Sequence, residues 1–231
     1  MSPNALARLA GILTLGLVFI GPIGLVVVPA AVHIPGDPAA TQAAIEASPG
    51  LFRLGLAAEA AVVAIEVGLT ATLWQLFRPV SAWTSASAAL ARGVMTTMQA
   101  TGLAVGVTVL LSSATLPPEL TQAGMDLRHA IVLTWQVVFA LHCALLGVLA
   151  WRATFLPKVL GALMIVAGVG YLQATVGEVF LPEWAGVTGA IVGVTAIGGE
   201  LPLFLWLLVR GARRAHLHTP DRSQVNEASS P

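Results

Sequence analysis

Ala185-Gly-Val-Thr-Gly-Ala-Ile-Val-Gly-Val-Thr-Ala-Ile-Gly-Gly-Glu-Leu-Pro-Leu-Phe-Leu-Trp-Leu-Leu-Val209 contains one ionisable side chain, Glu200. A helix needs about 20 apolar residues to cross a bilayer, so this stretch reads as a membrane span. Glu200 stands in its middle, after Gly198 and Gly199 and two residues before Pro202. A carboxylate at that depth costs about 3 kcal/mol on insertion scales. Pro202 has no N–H to offer the Gly198 carbonyl, and glycines with a proline predict a local break or kink. Such a break is tolerated only where protein or a cavity satisfies the freed groups. Gly193, Ala196 and Glu200 share one face of small residues, expected to turn toward the bundle interior. Glu200 is therefore the first functional candidate. The competing reading is a carboxyl hydrogen-bonded to a neighbouring helix for packing alone.

The rest of the composition agrees with a membrane protein. The 231 residues are 57% hydrophobic and 10% charged, with a mean hydropathy of +0.87. Soluble domains carry about 25% charged residues. The formal net charge is zero, so no basic field points to nucleic acid. Cys143 is the single cysteine and cannot form an intrachain disulfide. No Cys/His spacing resembles a zinc site, and no metal is expected.

Six segments are long enough to span: about 9–31, 52–77, 82–112, 130–151, 156–176 and 185–209. The first has Arg8 and small residues near Ala30, as a signal peptide would. It is too long for a signal core and is read as a retained helix, with a kink expected at Pro22. Between spans one and two, Asp37-Pro38 reads as an N-cap followed by proline at the first helical position. A short surface helix from Pro38 to Ala47 follows, ended by Ser48-Pro49-Gly50. Pro117-Pro118 reads as closing the loop after span three. The fold expected is an all-α integral membrane bundle over 1–211. A polar, disordered cytoplasmic tail is expected over 212–231.

Arg8, Arg78, Arg152, Lys158, Arg210, Arg213, Arg214 and Arg222 fall on one side of this arrangement, and only Arg53 and Arg128 on the other. Basic loops stay cytoplasmic, so both termini are expected inside, in the inner membrane of a bacterial cell. Trp74, Trp83, Trp151, Trp184 and Trp206 sit near span ends as interfacial anchors do, and Trp135 lies nearer the outer end of its span. The basic tail, with His216 and His218 as weak metal candidates, is expected to meet anionic lipid headgroups.

Counted from the cytoplasmic end, Glu66 lies eleven residues from Phe77, Arg92 ten from Ala82, His142 ten from Arg152 and Glu200 ten from Arg210. At 1.5 Å per residue all four lie about 15–17 Å deep, near the centre of the hydrocarbon core. Arg92, Thr96 and Gln99 form one polar stripe, and Glu59 and Glu66 share a face, Glu59 nearer outer water. Gly102-xxx-Gly106 and Gly189-xxx-Gly193 are small-residue packing patterns. Arg92 stays charged and must find an anion. It can pair with Glu66 or Glu200 but cannot neutralise both. A carboxyl left over in an apolar cavity tends to keep its proton and can act as a general acid. His142 at the same level would make proton transfer available. The structural alternative is an ion pair with a satisfied histidine that fixes helix register. Cys143 points about 100° away from His142 and reads as a packing residue.

No P-loop, GxSxG, HExxH, EF-hand or dinucleotide fingerprint is present, and no cofactor is expected. Ile34-Pro-Gly-Asp-Pro-Ala-Ala-Thr41 and Ala47-Ser-Pro-Gly-Leu-Phe-Arg-Leu-Gly55 resemble the first loop of a bacterial family of small polytopic membrane proteins catalogued as a domain of unknown function. Leu141-His-Cys-Ala-Leu-Leu-Gly147, Phe155-Leu-Pro-Lys-Val-Leu-Gly161, Ala167-Gly-Val-Gly-Tyr-Leu172 and Gly199-Glu-Leu-Pro-Leu-Phe-Leu-Trp-Leu-Leu208 fit it in the same order. The resemblance is weakest over 112–136. It implies the fold and carries over no catalytic residue.

Three functions are compatible with these residues. The first is an intramembrane enzyme that protonates an alkene or epoxide of a lipophilic, terpenoid-like molecule. Glu200, Glu66, His142 and Arg92 would be its catalytic candidates. Glu59, Thr96, Gln99, Trp135, Phe139 and Tyr171 would contact substrate, the aromatic faces shielding a cation. The second is a proton-linked carrier, for which a homo-oligomer would supply the missing half. The third is a non-catalytic membrane partner or sensor.

Overall fold

Helix starts in this chain follow its caps and prolines. The Ser2 hydroxyl accepts from Ala5 N–H at 3.2 Å, the Asp37 carboxylate from Ala40 N–H at 3.0 Å, and the Ser81 hydroxyl from Thr84 N–H at 3.3 Å. Pro49 and Pro118 each occupy a first helical position, where a missing N–H has no cost. The computed structural model describes residues 1–212. Its elements are α1 (Pro3–Pro22), a π-helical turn (Ile23–Val27), α2 (Val28–Val32), α3 (Pro38–Ala47), α4 (Pro49–Phe77), α5 (Ala82–Ser112), α6 (Pro118–Arg152), α7 (Lys158–Phe180), a 3-10 turn (Pro182–Trp184) and α8 (Ala185–Arg210). No strand occurs among the described residues. Six helical rods are long and apolar enough to cross a membrane, α1 to α2 counting as one rod over Pro3–Val32. The chain is an all-α, multi-pass membrane protein. The expectations for Arg213, Arg214, His216, His218, Arg222 and the rest of the tail lie outside the described residues; Ala212, assigned to that tail, is buried.

Two local expectations are corrected. Span four was expected to begin near residue 130, but α6 begins at Pro118 and runs for 35 residues. Its polar first third does not leave the helix, because Gln122 and Asp126 both meet His33 and Arg128 meets Glu59 on α4. Trp135 on this helix is buried. The break expected at Gly198–Pro202 is absent: α8 is continuous, and Pro202 is carried inside it. Pro22, by contrast, is followed by the expected distortion. Val28 N–H donates to the Ile23 carbonyl, five residues back, to close the π turn.

The rods form a ring in chain order, α1–α4–α5–α6–α7–α8, closed by contact of α8 with α1. Gly11 closes it: a Cβ there would meet Leu208 Cβ at 2.6 Å and Phe204 O at 2.9 Å. One apolar core holds Leu69, Phe77, Leu146, Met164, Phe204 and Leu207. A smaller one holds Val28, Val32, Ile45, Phe52, Leu56, Val109 and Met125 where α3 covers the outer end. At the opposite end Arg78, Lys158 and Arg210 lie over the Trp74, Trp151 and Trp206 rings at 5.9, 5.9 and 5.6 Å. Cations and indoles there form the interfacial band read from the sequence.

Small residues set the close approaches, though not all the expected ones. A Cβ on Gly161 would lie 2.6 Å from both Gly147 O and Trp151 N. Gly199 likewise lies against the Leu163 carbonyl. Gly193 corrects the reading of α8: it is exposed, and nothing lies within 4 Å of its Cβ position, nor of Gly189's. Side chains at Gly161 and Gly193 should therefore behave differently. Gly161→Leu must push the α6 and α7 backbones apart, an overpacking cost of about 1–3 kcal/mol or more. It should lower the yield of folded protein in detergent, measured by size-exclusion fluorescence, while Gly193→Leu should match the parent. Equal losses would mean that α7 does not pack as described.

Candidate functional site

Three successive ring members supply the central ion pair. Arg92 on α5 is buried and donates from Nε to Glu66 Oε2 on α4 at 2.6 Å. Its Nη1 lies 3.0 Å from His142 Nε2 on α6. An arginine can only donate, so His142 Nε2 accepts, and Nδ1–H donates to the Ala88 carbonyl at 2.9 Å. Both ring nitrogens of His142 are used, and the imidazole is the neutral tautomer protonated at Nδ1. The Phe139 ring stacks on His142 at 5.5 Å and 16°, and Arg92 Cζ lies 5.4 Å from the Phe139 centroid. His142 thus stands behind Arg92 and off the wall of the central cavity.

Glu200 on α8 is held by the neighbouring ring member, α7. The Tyr171 hydroxyl on α7 donates to Glu200 Oε1 at 2.7 Å. Arg92 is engaged by Glu66, which decides between the two pairings open to it. Glu200 is thereby left with a neutral partner. Tyr171 also meets Phe139 edge-on at 4.9 Å and Trp135 at 6.4 Å, and Trp135 meets Phe139 at 6.0 Å. Glu66, Arg92, Gln99, Trp135, Phe139, Tyr171 and Glu200 therefore line one cavity of about 380 Å³. That size lies within the range of small-molecule sites, about 300–1,000 Å³. Most of its remaining wall is aliphatic. Its wall residues Val18, Val26 and Ile197 are exposed, so the mouth opens sideways between α1 and α8.

Other sequence candidates stand elsewhere. Thr96 donates to its own helix at Arg92 O, 2.8 Å away, and is not on the cavity wall. Glu59 does not reach outer water as expected: it is buried and paired with Arg128 Nη2. Gly106 makes room for that guanidinium, and the Phe52 ring lies under it at 5.5 Å. Sequence reading treated Arg128 as an outer loop cation. The helical start offered by Pro118, continued into α6, is the signal that would have placed it inside. Glu59 and Arg128 line a second cavity of about 160 Å³ toward the outer end, with His33 and His129. His33 Nε2 contacts Asp126 Oδ1 at 2.8 Å, and His129 pairs with Glu178. The two cavities share Leu25, Val62, Gln99 and Trp135. Cys143 is buried in the apolar core, as a packing residue would be. Among the described residues no three His, Cys, Asp or Glu side chains gather as metal ligands.

A family described as "Domain of unknown function (DUF4386)" matches residues 9–211. An uncharacterized protein of Archaeoglobus fulgidus is 31% identical over 77 residues, which span 33% of this chain and 44% of that protein. The chain thus matches less than half the length of that relative. No solved structure matches the chain.

Proposed function

This chain belongs to the DUF4386 family, and from its geometry we propose that it is an intramembrane enzyme using Glu200 as a general acid on a lipophilic small molecule. One observation carries the reading. Glu200 lines a largely aliphatic cavity with the neutral Tyr171 hydroxyl as its partner, while the nearby guanidinium is matched by Glu66. A carboxyl without a counter-ion in such a medium tends to hold its proton.

The chemistry balances without a cofactor. The Glu200 O–H proton moves to one carbon of a substrate alkene. A C–H bond forms, the π bond breaks, and a cation remains on the adjacent carbon. A second alkene can first close a ring onto that cation, which moves the charge to another carbon; with or without that closure, a C–H next to the cation then loses its proton. Return of that proton to the Glu200 carboxylate restores the acid, so isomerisation or cyclisation needs no other reactant. The Tyr171 hydrogen bond stabilises the carboxylate formed in between. The faces of Trp135, Phe139 and Tyr171 would shield the cation from water. Arg92, Glu66 and His142 would hold the α4–α5–α6 side of the cavity in place. The proposal places the chain in the inner membrane of a bacterial cell.

Membranes with and without the chain, incubated in deuterium oxide, test this. A new neutral lipid isomer carrying a deuterium–carbon bond is the expected product by mass spectrometry. Identical lipid profiles would overturn the proposal. One observation favours a proton-linked carrier instead: the outer cavity leads from Glu59 and Arg128 to the wall of the central one. A carrier would move a solute with protons and leave it chemically unchanged.

A further inference from the structure

Gln99 lies where the two cavities meet, and its bonding is incomplete. The residue is 9% exposed, its side-chain amide makes no hydrogen bond among the described residues, and Oε1 is a buried acceptor without a partner. Of the other polar groups of the central cavity, Arg92 is matched with Glu66 and Glu200 with Tyr171, while Thr14 Oγ1 is also buried without a partner. Next door, Glu59 is paired with Arg128 Nη2, His33 with Asp126 and His129 with Glu178, and Arg128 Nη1 is buried without a hydrogen-bond partner. A buried polar atom left alone is costly, and of these three groups Gln99 is the one that borders both cavities.

We propose that the two cavities together hold one elongated neutral alcohol, its hydroxyl bonded to Gln99 and its apolar chain lying along Trp135, Phe139 and Tyr171 toward Glu200. An amide offers one acceptor and one donor function at the same place, and a hydroxyl both donates and accepts. The charge balance selects a neutral head. Each guanidinium is already paired with a carboxylate, so neither an anionic nor a cationic head finds an uncompensated charge, and Arg128 Nη1 is left only as a spare donor. Geometry selects an elongated ligand. Gln99 and Trp135 border both chambers, and the larger chamber extends from them to Glu200. The side opening between α1 and α8 suits entry from the bilayer. An amphiphile of the outer leaflet, with its hydroxyl outward and its chain toward the midplane, would enter without turning over.

This inference rests on reading the central cavity as a substrate site, though not on acid chemistry at Glu200. The test uses the full chain in lipid nanodiscs with farnesol, its methyl ether and the hydrocarbon farnesene as probes. Retention per protein is measured at matched mole fractions in the lipid. Farnesol should bind about tenfold tighter than farnesene or more, the difference one hydrogen bond makes. The ether can accept from the amide N–H but cannot donate to Oε1, so it should bind more weakly than farnesol. Gln99→Leu should remove the preference for farnesol and keep farnesene binding, and Gln99→Asn should restore part of it. The comparison of probes on the unaltered chain stands even where Gln99→Leu fails to fold. Equal binding of alcohol and hydrocarbon, or no binding of either, would overturn the inference and mean that water alone satisfies Gln99. Glu200→Gln should still retain farnesol. Farnesol binding together with undiminished turnover in Glu200→Gln would sink the acid role and leave the alcohol site standing. Glu200-dependent turnover without a preference for the alcohol would do the reverse.

Discussion

Glu200→Gln is expected to lower turnover by about 10²–10⁴-fold, the contribution of a positioned acid, while leaving the folded protein nearly as stable as the parent. Glutamine keeps the shape of a protonated carboxyl and can still accept from the Tyr171 hydroxyl, which lies 2.7 Å from Glu200 Oε1. It has no acidic proton to give to an alkene. No arginine contact is lost, because Arg92 is bonded to Glu66. Conversion in membranes and thermal unfolding of the purified chain read the two halves separately. A glutamine variant that no longer folds would show that the structure requires the carboxylate, and a proton-donating Glu200 would be abandoned. Full activity in that variant would leave Glu200 a packing residue. Tyr171→Phe supplies a milder companion. It removes the one hydrogen bond that stabilises the carboxylate after proton transfer and should slow turnover less than Glu200→Gln does.

Arg92→Leu should produce the largest loss of stability. The guanidinium bonds Glu66 on one side and His142 on the other, within three helices at once. Leucine would leave a buried carboxylate without its counter-ion and a buried imidazole acceptor without its donor. Removing one member of a buried pair costs about 3–5 kcal/mol in soluble proteins. Adding Glu66→Gln to Arg92→Leu removes the stranded charge, so the double variant should recover much of the folded yield. Unfolding midpoints in one detergent compare the two. A double variant no better than Arg92→Leu alone would show that the pair contributes little as a pair. Arg92 would then act mainly by filling space beneath the Phe139 ring.

Helix count and polar depth are local properties, and the sequence determined them by itself. Runs of apolar residues mark the six spans, and Asp37-Pro38 marks the start of α3 through a cap that needs no tertiary partner. A fixed rise per residue places Glu66, Arg92, His142 and Glu200 at one level, and cavity-wall and hydrogen-bond contacts bring them together. Lateral order is not local. Periodicity fixes which residues share a face of one helix, but not which helix stands beside that face. The ring order sets α4, α5 and α6 side by side, so Arg92 reaches Glu66 and His142 on its two neighbours. The same order sets α7 beside α8, which gives Glu200 the Tyr171 hydroxyl in place of a cation. Only the tertiary structure turned Gly193 outward and Gly199 onto the Leu163 carbonyl, because both belong to the same glycine-rich helix. It likewise kept Glu119 to His129 within α6, since composition alone reads those polar residues as loop. Packing against α3 and partners outside α6 keep them helical, as Glu59 does for Arg128 and His33 for Asp126.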